Sequence, residues 1–164
     1  KLSPAYLNSD GTINYCKMIT YLTECESRNK IILDDLVENR EHFNLILSER
    51  VDHLKYLYEQ LPLKLRVQAA VIDGKMTSKK RKAEREQAIE DMRTGKKRYL
   101  FATYSLAKEG LDIPRLDRLY LTTPQKDYAV IVQSVGRIAR TFDGVDCIRS
   151  LQKSFKQRCT SYRK

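Results

Sequence analysis

The segment RYLFATYSLAKEG, residues 98–110, predicts a strand that runs directly into a short helix. Residues 98–103 are rich in apolar and aromatic side chains, and the strand ends at Thr103. Residues 104–109 suit a short helix, which Gly110 ends because glycine adopts backbone conformations that other residues avoid. This segment therefore contains one complete strand–helix unit.

The same strand–helix order recurs on both sides of this segment. Short apolar runs predict strands over residues 43–47, 67–72 and 119–122. Apolar residues at helical spacing, or a long polar run, predict helices over residues 51–61, 77–93 and 128–140. Four strands that alternate with four helices predict an α/β fold, in which helices cover both faces of a parallel sheet.

Two helix ends have recognisable signals. Ser48 precedes the predicted helix over 51–61 and is expected to cap it, because serine oxygen accepts hydrogen bonds from free amide groups. The predicted helix over 77–93 is followed by Thr94 and Gly95, and glycine suits the left-handed position after a helix.

The chain divides into three predicted regions. Residues 1–40 predict a helical amino-terminal arm, and residues 41–148 contain the α/β unit. Residues 149–164 predict a basic amphipathic helix that packs on this unit. With 164 residues the chain is expected to form one domain with a short appendage, and its start at Lys1 rather than Met suggests a fragment of a longer protein.

The composition excludes several classes of protein. Hydrophobic residues make up 41% of the chain, with only 6 Gly and 4 Pro, which excludes a collagen or a fully disordered protein. No apolar run approaches a membrane span and no signal peptide is recognisable, so we expect a cytoplasmic protein, in bacteria or in a phage host, with no membrane partner. The four cysteines form no CxxC pair, so we expect no metal site.

The net charge of +10 is concentrated in two segments. Residues 75–98 contain 10 basic and 4 acidic side chains, and residues 149–164 contain 6 basic and none acidic. Such clusters attract polyanions and predict nucleic-acid binding. The alternative is a solvated helix, since acidic residues are interleaved with the basic ones between residues 77 and 93.

Candidate site residues follow the predicted strands or lie on the last predicted helix of the α/β unit. In a parallel sheet, loops at the carboxyl ends of the strands gather at one edge, where ligands bind. Gln133, Gly136, Arg137 and Arg140 lie on one helical stripe, so two guanidinium groups face the same way and can grip phosphate. A basic helix face that binds surface carboxylates is the alternative.

Three segments together resemble motifs of superfamily 2 helicases, in the order that the family uses. LILSERVDHL resembles motif IV, TYSLAKEGLDIP motif V and QSVGRIAR motif VI. The resemblance covers residues 44–140 and implies the carboxy-terminal RecA-like lobe of a P-loop NTPase-type helicase, similar to the DEAD/DEAH-like DNA helicases of phages and bacteria. Gln133 at the start of motif VI is similar to DNA-directed branches, so DNA is expected and RNA is the second candidate.

The resemblance implies a role for each matching residue at the nucleotide. Arg137 and Arg140 would reach the γ-phosphate of ATP, with Arg140 as the arginine finger. Gly110 and Asp112 match nucleotide-contacting positions, and the Asp112 carboxylate would accept from a ribose hydroxyl. Asp112 also suits an ordinary turn. Gln133 either contacts phosphate or bridges motifs V and VI.

A second group of residues would contact nucleic acid. Thr103 matches the family's phosphate-binding threonine. The other candidates lie in strand-end loops or at the start of the basic helix: Ser48, Arg50, Gly74, Lys75, Lys79 and Arg81. This helix is longer than in common relatives, so Arg81 and Arg85 are both candidates for the family's phosphate-contacting arginine.

Half of the expected ATPase site has no match in these residues. We find no G-x-x-x-x-G-K-S/T phosphate loop and no acidic pair for Mg²⁺, so both would belong to an amino-terminal RecA-like lobe of the same protein. The 164-residue chain alone is therefore expected not to hydrolyse ATP. The alternative is a non-catalytic nucleic-acid-binding or interaction module with the same fold.

Overall fold

The computed structural model describes residues 6–73 and 78–125. Within them four strands alternate with helices. The helices are α1 (Tyr15–Glu24), α2 (Glu26–Glu38), α3 (Val51–Gln60), α4 (Leu63–Arg66), α5 (Lys79–Arg93) and α6 (Tyr104–Gly110). The strands are β1 (Asn44–Ser48), β2 (Ala69–Ile72), β3 (Tyr99–Thr103) and β4 (Arg118–Leu121).

The four strands form one parallel sheet in the order β2-β3-β1-β4. β1 pairs with both β3 and β4, and β2 pairs with β3. The predicted α/β fold with a parallel sheet is confirmed. Because β1 and β3 lie inside the sheet, their carboxyl ends are neighbours, and Ser48 is the register partner of Thr103.

Helices cover both faces of the sheet because the inner strands are apolar on both sides. On β1, Leu45 and Leu47 join a core with α5 and α6 side chains, whereas Ile46 joins a second core with α2 and α3 side chains. All three side chains are fully buried, and burying each one contributes about 2 kcal/mol. This two-sided burial explains the uninterrupted apolar run of β1.

The predicted amino-terminal arm consists of two helices, separated at Cys25, where the backbone is extended. α2 packs against the sheet, since Leu36 is fully buried in the second core and Tyr99 Oη donates a hydrogen bond to Leu36 O at 2.8 Å. The proposed boundaries of the three regions stay a prediction.

Two local predictions were wrong. β2 begins at Ala69 rather than at residue 67, because the short helix α4 precedes it and Val67 is 73% exposed. Ser48 is not the N-cap of α3; that position belongs to Arg50, which makes no side-chain capping hydrogen bond. The Ser48 hydroxyl instead accepts from the Arg50 amide at 3.2 Å.

The end of α5 has the predicted left-handed glycine. Thr94 is the C-cap, and Gly95 follows it with a φ of +82°. In the parts of the chain that the structure describes, no helix is both long and apolar enough to cross a membrane. The predicted helix over residues 128–140 and the predicted terminal helix over residues 149–164 lie outside the described residues.

Candidate nucleic-acid and nucleotide interface

The sheet brings Ser48 and Thr103 together at its carboxyl edge, but both residues are largely buried. Ser48 is fully buried and Thr103 is 8% exposed. The Thr103 hydroxyl lies 3.0 Å from the Ser105 hydroxyl in the first turn of α6. Ser48 and Thr103 were both predicted to contact phosphate. Thr103 retains a small exposed area, whereas the Ser48 side chain is completely enclosed.

Ser48 belongs to a buried chain of hydrogen bonds that sequence analysis missed. Its hydroxyl lies 3.1 Å from His53 Nδ1, and His53 Nε2 lies 2.8 Å from Asn29 Oδ1. Asn29 Nδ2 donates to Thr23 O, so Asn29 Oδ1 must accept from a protonated Nε2. The neutral imidazole then accepts at Nδ1 from the Ser48 hydroxyl.

Burial holds His53 in this neutral form. The side chain is almost completely enclosed, which lowers its pKa to about 4 because an imidazolium loses its hydration there. The nearby positive charge of Arg28 lowers the pKa further. The network therefore joins α2 to the β1–α3 loop across the physiological pH range.

Arg50 is an exposed cation of that loop, next to the exposed Glu49. Its amide is held by Ser48, while its side chain is in solvent. A cleft of about 390 Å³ opens beside it, lined by residues of α1, α2 and α3 that include three carboxylates, Glu24, Glu26 and Asp52. These negative charges disfavour phosphate inside the cleft, so a phosphate contact of Arg50 would lie on the outer surface.

The basic helix α5 presents most of its charged residues to solvent. Ser78 caps the helix by accepting from the Arg81 amide at 3.4 Å, and only Ala88 and Met92 of this helix are buried. The side chains at the beginning of α5 are all exposed: Lys79, Lys80, Arg81 and Lys82. Four consecutive cations at the carboxyl edge form a surface that suits a polyanion.

Two contacts attach α5 to the motif V segment. Arg85 forms an ion pair with Glu109 of α6 at 3.2 Å, and Arg93 Nε donates to Asp112 O at 2.7 Å. The Arg85 side chain is only 25% exposed. Arg85 is therefore engaged within the chain, whereas the guanidinium of Arg81 makes no hydrogen bond or ion pair with any residue among 6–73 and 78–125.

Gly110 and Asp112 lie at the far end of α6. Gly110 has a φ of 115°, a conformation that favours glycine, and the Asp112 side chain is exposed. Within the described ranges the Asp112 carboxylate has no hydrogen-bond partner, although its backbone oxygen accepts from Arg93. α6 is about 10 Å long, so this pair is separated from Thr103 by the length of that helix.

Three consecutive carbonyl groups after β4 each accept a side-chain hydrogen bond. The Arg28 guanidinium donates to Thr122 O, and Tyr104 Oη donates to Thr123 O at 2.6 Å. Tyr15 Oη lies 2.8 Å from Pro124 O. We call residues 122–124 the exit loop. It approaches the β1–α3 loop, since Thr123 Oγ1 accepts from the Glu49 amide at 2.9 Å.

The two tyrosines that contact the exit loop, Tyr15 and Tyr104, remain protonated at neutral pH. Burial raises the pKa of Tyr104 to about 12. Burial, together with the Glu49 carboxylate 2.9 Å away, raises the pKa of Tyr15 to about 12 as well. No sequence pattern indicates Tyr15, Arg28 and Tyr104 as a group, because only tertiary structure brings residues from α1, α2 and α6 to one loop.

The remaining predicted site residues lie outside the described residues: Gly74, Lys75, Gln133, Arg137 and Arg140. In the segments that are described, no three His, Cys, Asp or Glu side chains are grouped closely enough to hold a metal ion.

Residues 27–142 match the family model described as Helicase conserved C-terminal domain. The chain belongs to this superfamily 2 helicase family. The match begins inside α2, so α1 lies outside it. It covers the strands, the basic helix and the motif V segment described above.

Two viral proteins that are named as helicases resemble the chain. It is 29% identical over 126 residues to a protein of Sulfolobus islandicus filamentous virus (isolate Iceland/Hveragerdi) that is named as a helicase, covering 77% of this chain and 22% of that protein. It is 33% identical over 147 residues to a protein of Acanthamoeba polyphaga mimivirus named as an ATP-dependent RNA helicase, covering 85% and 25%. The chain thus spans about a quarter of the length of these relatives.

The fold of this helicase domain also resembles T4 UvsW. The TM-score is 0.59 with 16% sequence identity, over 77% of this chain and 25% of that structure. An identity this low supports the fold alone. The RecA-like architecture expected from the sequence is therefore confirmed by the parallel sheet and by this likeness.

Proposed function

We propose that the chain is the carboxy-terminal lobe of an ATP-dependent helicase or translocase that acts on nucleic acid, with DNA favoured over RNA. The observation that carries this proposal is the arrangement around α6. Thr103 and the basic start of α5 lie at the carboxyl edge of the sheet, whereas Gly110 and Asp112 lie at the other end of α6. The short helix α6 thus has the candidate nucleic-acid surface at its start and the candidate nucleotide surface at its end.

The nucleic-acid surface uses exposed cations. Lys79, Arg81 and Arg50 contact phosphates, and Thr103 donates or accepts a hydrogen bond at the surface margin. Gly74 and Lys75 belong to the same proposed surface through their place in the sequence after β2. The buried Ser48 supports this surface from below, because its hydroxyl holds the Arg50 amide. Contacts of this kind fix position without selecting a base sequence.

The nucleotide surface is completed by a second lobe. Asp112 has an exposed carboxylate that can accept from a ribose hydroxyl, and Gly110, two residues before it, has a φ of 115° that favours glycine. We propose that Gln133, Arg137 and Arg140 act at the phosphates, with Arg140 neutralising charge that develops on the transferred phosphoryl group. The phosphate loop and the groups that hold Mg²⁺ would belong to the amino-terminal RecA-like lobe.

The choice of DNA depends on Gln133, and one relative is named as an RNA helicase. Both polymers are therefore part of the test. The cytoplasmic location also stays a proposal. The alternative function is a non-catalytic nucleic-acid-binding module, which the exposed cations of α5 would support without any ATP site.

The test measures ATP hydrolysis by the complete protein with DNA, with RNA and with neither. We expect stimulation by nucleic acid, stronger with DNA, and no hydrolysis by the 164-residue chain alone. Arg140→Ala should reduce stimulated kcat by about 10³-fold or more while nucleic-acid affinity changes little. The exposed Arg115 between α6 and β4 provides a control, and Arg115→Ala should retain activity.

Equal losses of binding and hydrolysis in Arg140→Ala would contradict the finger role. Nucleic-acid binding by a complete protein without ATP hydrolysis would favour the non-catalytic module.

A further inference from the structure

The exit loop of residues 122–124 is held by side chains from three different helices. Arg28 comes from α2, Tyr104 from α6 and Tyr15 from α1, and each contacts the carbonyl oxygen of a different loop residue. Side-chain hydrogen bonds to three successive backbone carbonyls leave little freedom for the path of this segment. The loop is therefore fixed more firmly than its own backbone hydrogen bonds would require.

The position of the exit loop in the chain gives this restraint a functional consequence. Only eight residues separate Pro124 from Gln133, the first residue of motif VI. The exit loop thus fixes the point from which the chain continues toward that motif. Catalytic groups lose much of their effect when they are misplaced by about 1 Å, so the direction of this segment matters.

Two of the three donors are unusual because they come from the amino-terminal arm. Tyr15 lies outside the residues that match the family, and Arg28 lies at their border. Tyr15 Oη also lies 2.9 Å from the Glu49 carboxylate, next to Arg50 of the proposed nucleic-acid surface. Its single proton therefore serves two acceptors that belong to the β1–α3 loop and to the exit loop.

We infer that Tyr15 and Arg28 are positioning residues, which hold the exit loop so that motif VI is directed toward the nucleotide. This inference rests on the proposed function. The helical arm would thus affect ATP hydrolysis without touching the nucleotide, through its hydrogen bonds to Pro124 O and Thr122 O.

The experiment uses the complete protein with Tyr15→Phe, Arg28→Met and the double variant. Tyr15→Phe removes one oxygen atom and retains the ring, so it is the variant least harmful to folding. Tyr21→Phe is the matched control, because Tyr21 lies on the same helix and is 43% exposed. Nucleic-acid-stimulated kcat, KM for ATP, nucleic-acid Kd and Tm are measured for each.

We expect kcat to fall about fivefold in Tyr15→Phe and about tenfold or more in the double variant. KM for ATP and Kd for nucleic acid should stay within about twofold, and Tyr21→Phe should match the wild type. Arg28→Lys should restore part of the kcat that Arg28→Met loses, since lysine retains a donor. A purely structural role would lower Tm without this separation of kcat from KM and without rescue.

Wild-type kcat in folded Tyr15→Phe and Arg28→Met would overturn the inference, as would a parallel loss of nucleic-acid binding. Arg140→Ala, measured beside them, separates the two proposals. If Arg140→Ala loses hydrolysis while Tyr15→Phe and Arg28→Met do not, only the positioning role fails. If Arg140→Ala keeps full hydrolysis, only the finger role fails, and if the wild-type complete protein binds nucleic acid without hydrolysing ATP, the proposed function itself is contradicted.

Discussion

The guanidinium of Arg85 lies 3.2 Å from the carboxylate of Glu109, and this ion pair joins the basic helix α5 to α6. Arg93 makes a second connection between α5 and the motif V segment through Asp112 O. The Glu109 side chain is 58% exposed, so the pair itself contributes only about 0–1 kcal/mol. The ion pair matters because the sequence offers two arginines for phosphate binding, Arg81 and Arg85, and the pair engages Arg85.

The first prediction separates Arg81 from Arg85. Because Arg81 is exposed at the start of α5 and Arg85 is paired with Glu109, Arg81→Ala should weaken nucleic-acid binding more than Arg85→Ala does. Removing one phosphate contact lowers the slope of log K against log salt by about 1. Titrations of the complete protein at several salt concentrations measure this slope.

Arg85→Ala should leave the slope close to that of the wild type, and neutralising Lys79, Lys80 and Arg81 together should flatten it most. An unchanged slope in the triple variant would assign α5 to the solvated-helix interpretation. A larger change in Arg85→Ala than in Arg81→Ala would reverse the assignment.

The second prediction concerns the pH dependence of stability caused by His53. Its pKa is about 4 in the folded chain against an ordinary value of 6.5, so the unfolded chain binds a proton more readily. This contribution to stability is complete above pH 6.5 and is lost as the pH falls toward 4. Because one pKa unit corresponds to about 1.4 kcal/mol, the loss amounts to about 3 kcal/mol.

Urea unfolding of the 164-residue chain between pH 7.5 and 4 measures this loss. His53→Gln should be less stable at pH 7 and should show a shallower decline with acid than the wild type. His42→Gln provides the control, since His42 is the other of the two histidines and is half-buried beside Asp117. The prediction fails if His53→Gln declines as steeply as the wild type.

The third prediction tests the end of α5. Gly95 has a φ of +82°, and a Cβ added there would lie 3.4 Å from a terminal nitrogen of Arg115 and 3.7 Å from Cζ of Phe43. The surroundings therefore leave room for the atom, and the cost arises from the left-handed backbone. Gly95→Ala should lower the free energy of unfolding by about 1–2 kcal/mol.

Gly95→Asn should cost less than Gly95→Ala, because asparagine tolerates this conformation better than alanine. Chemical denaturation compares the two variants with the wild type. Equal stability of Gly95→Ala and wild type would mean that α5 ends without a left-handed residue.

The inner strands were predictable because each is apolar on both faces, as in residues 45–47 of β1. Gly95 was predictable because the left-handed end of a helix favours one residue type. α4 was not, since its four residues are too few for a helical period, and the resulting strand boundary was two residues out. Ser48 looked like a helix cap because a local pattern cannot reveal a histidine that competes for its hydroxyl.

The chemistry of the site was predictable only where a motif is contiguous in sequence. The hydrogen bond from Tyr15 to Pro124 joins residues 109 positions apart, and that from Arg28 to Thr122 joins residues 94 apart. No spacing rule covers such distances, because the contact depends on how α1 and α2 pack beside the sheet. Residues 1–40 were predicted only as a helical arm, and the contacts of this arm with the exit loop became visible only in three dimensions.

The last prediction distinguishes the two interpretations of Asp112. If its exposed carboxylate accepts from a ribose hydroxyl, Asp112→Ala should raise KM for ATP about tenfold, since hydrogen bonds to charged groups contribute about 1.5–3 kcal/mol. Stability should change by less than about 0.5 kcal/mol, because the carboxylate makes no hydrogen bond to residues 6–73 or 78–125.

Deoxy analogues of ATP make this test specific. The wild-type complete protein should use 2′-deoxy-ATP or 3′-deoxy-ATP with a higher KM than ATP, and Asp112→Ala should no longer discriminate between them. Such non-additivity assigns the lost interaction to the hydroxyl itself, because either change alone removes the same hydrogen bond. If discrimination persists in Asp112→Ala while the Tm falls, the residue serves the turn before Pro114, and the nucleotide surface must be sought elsewhere on this lobe.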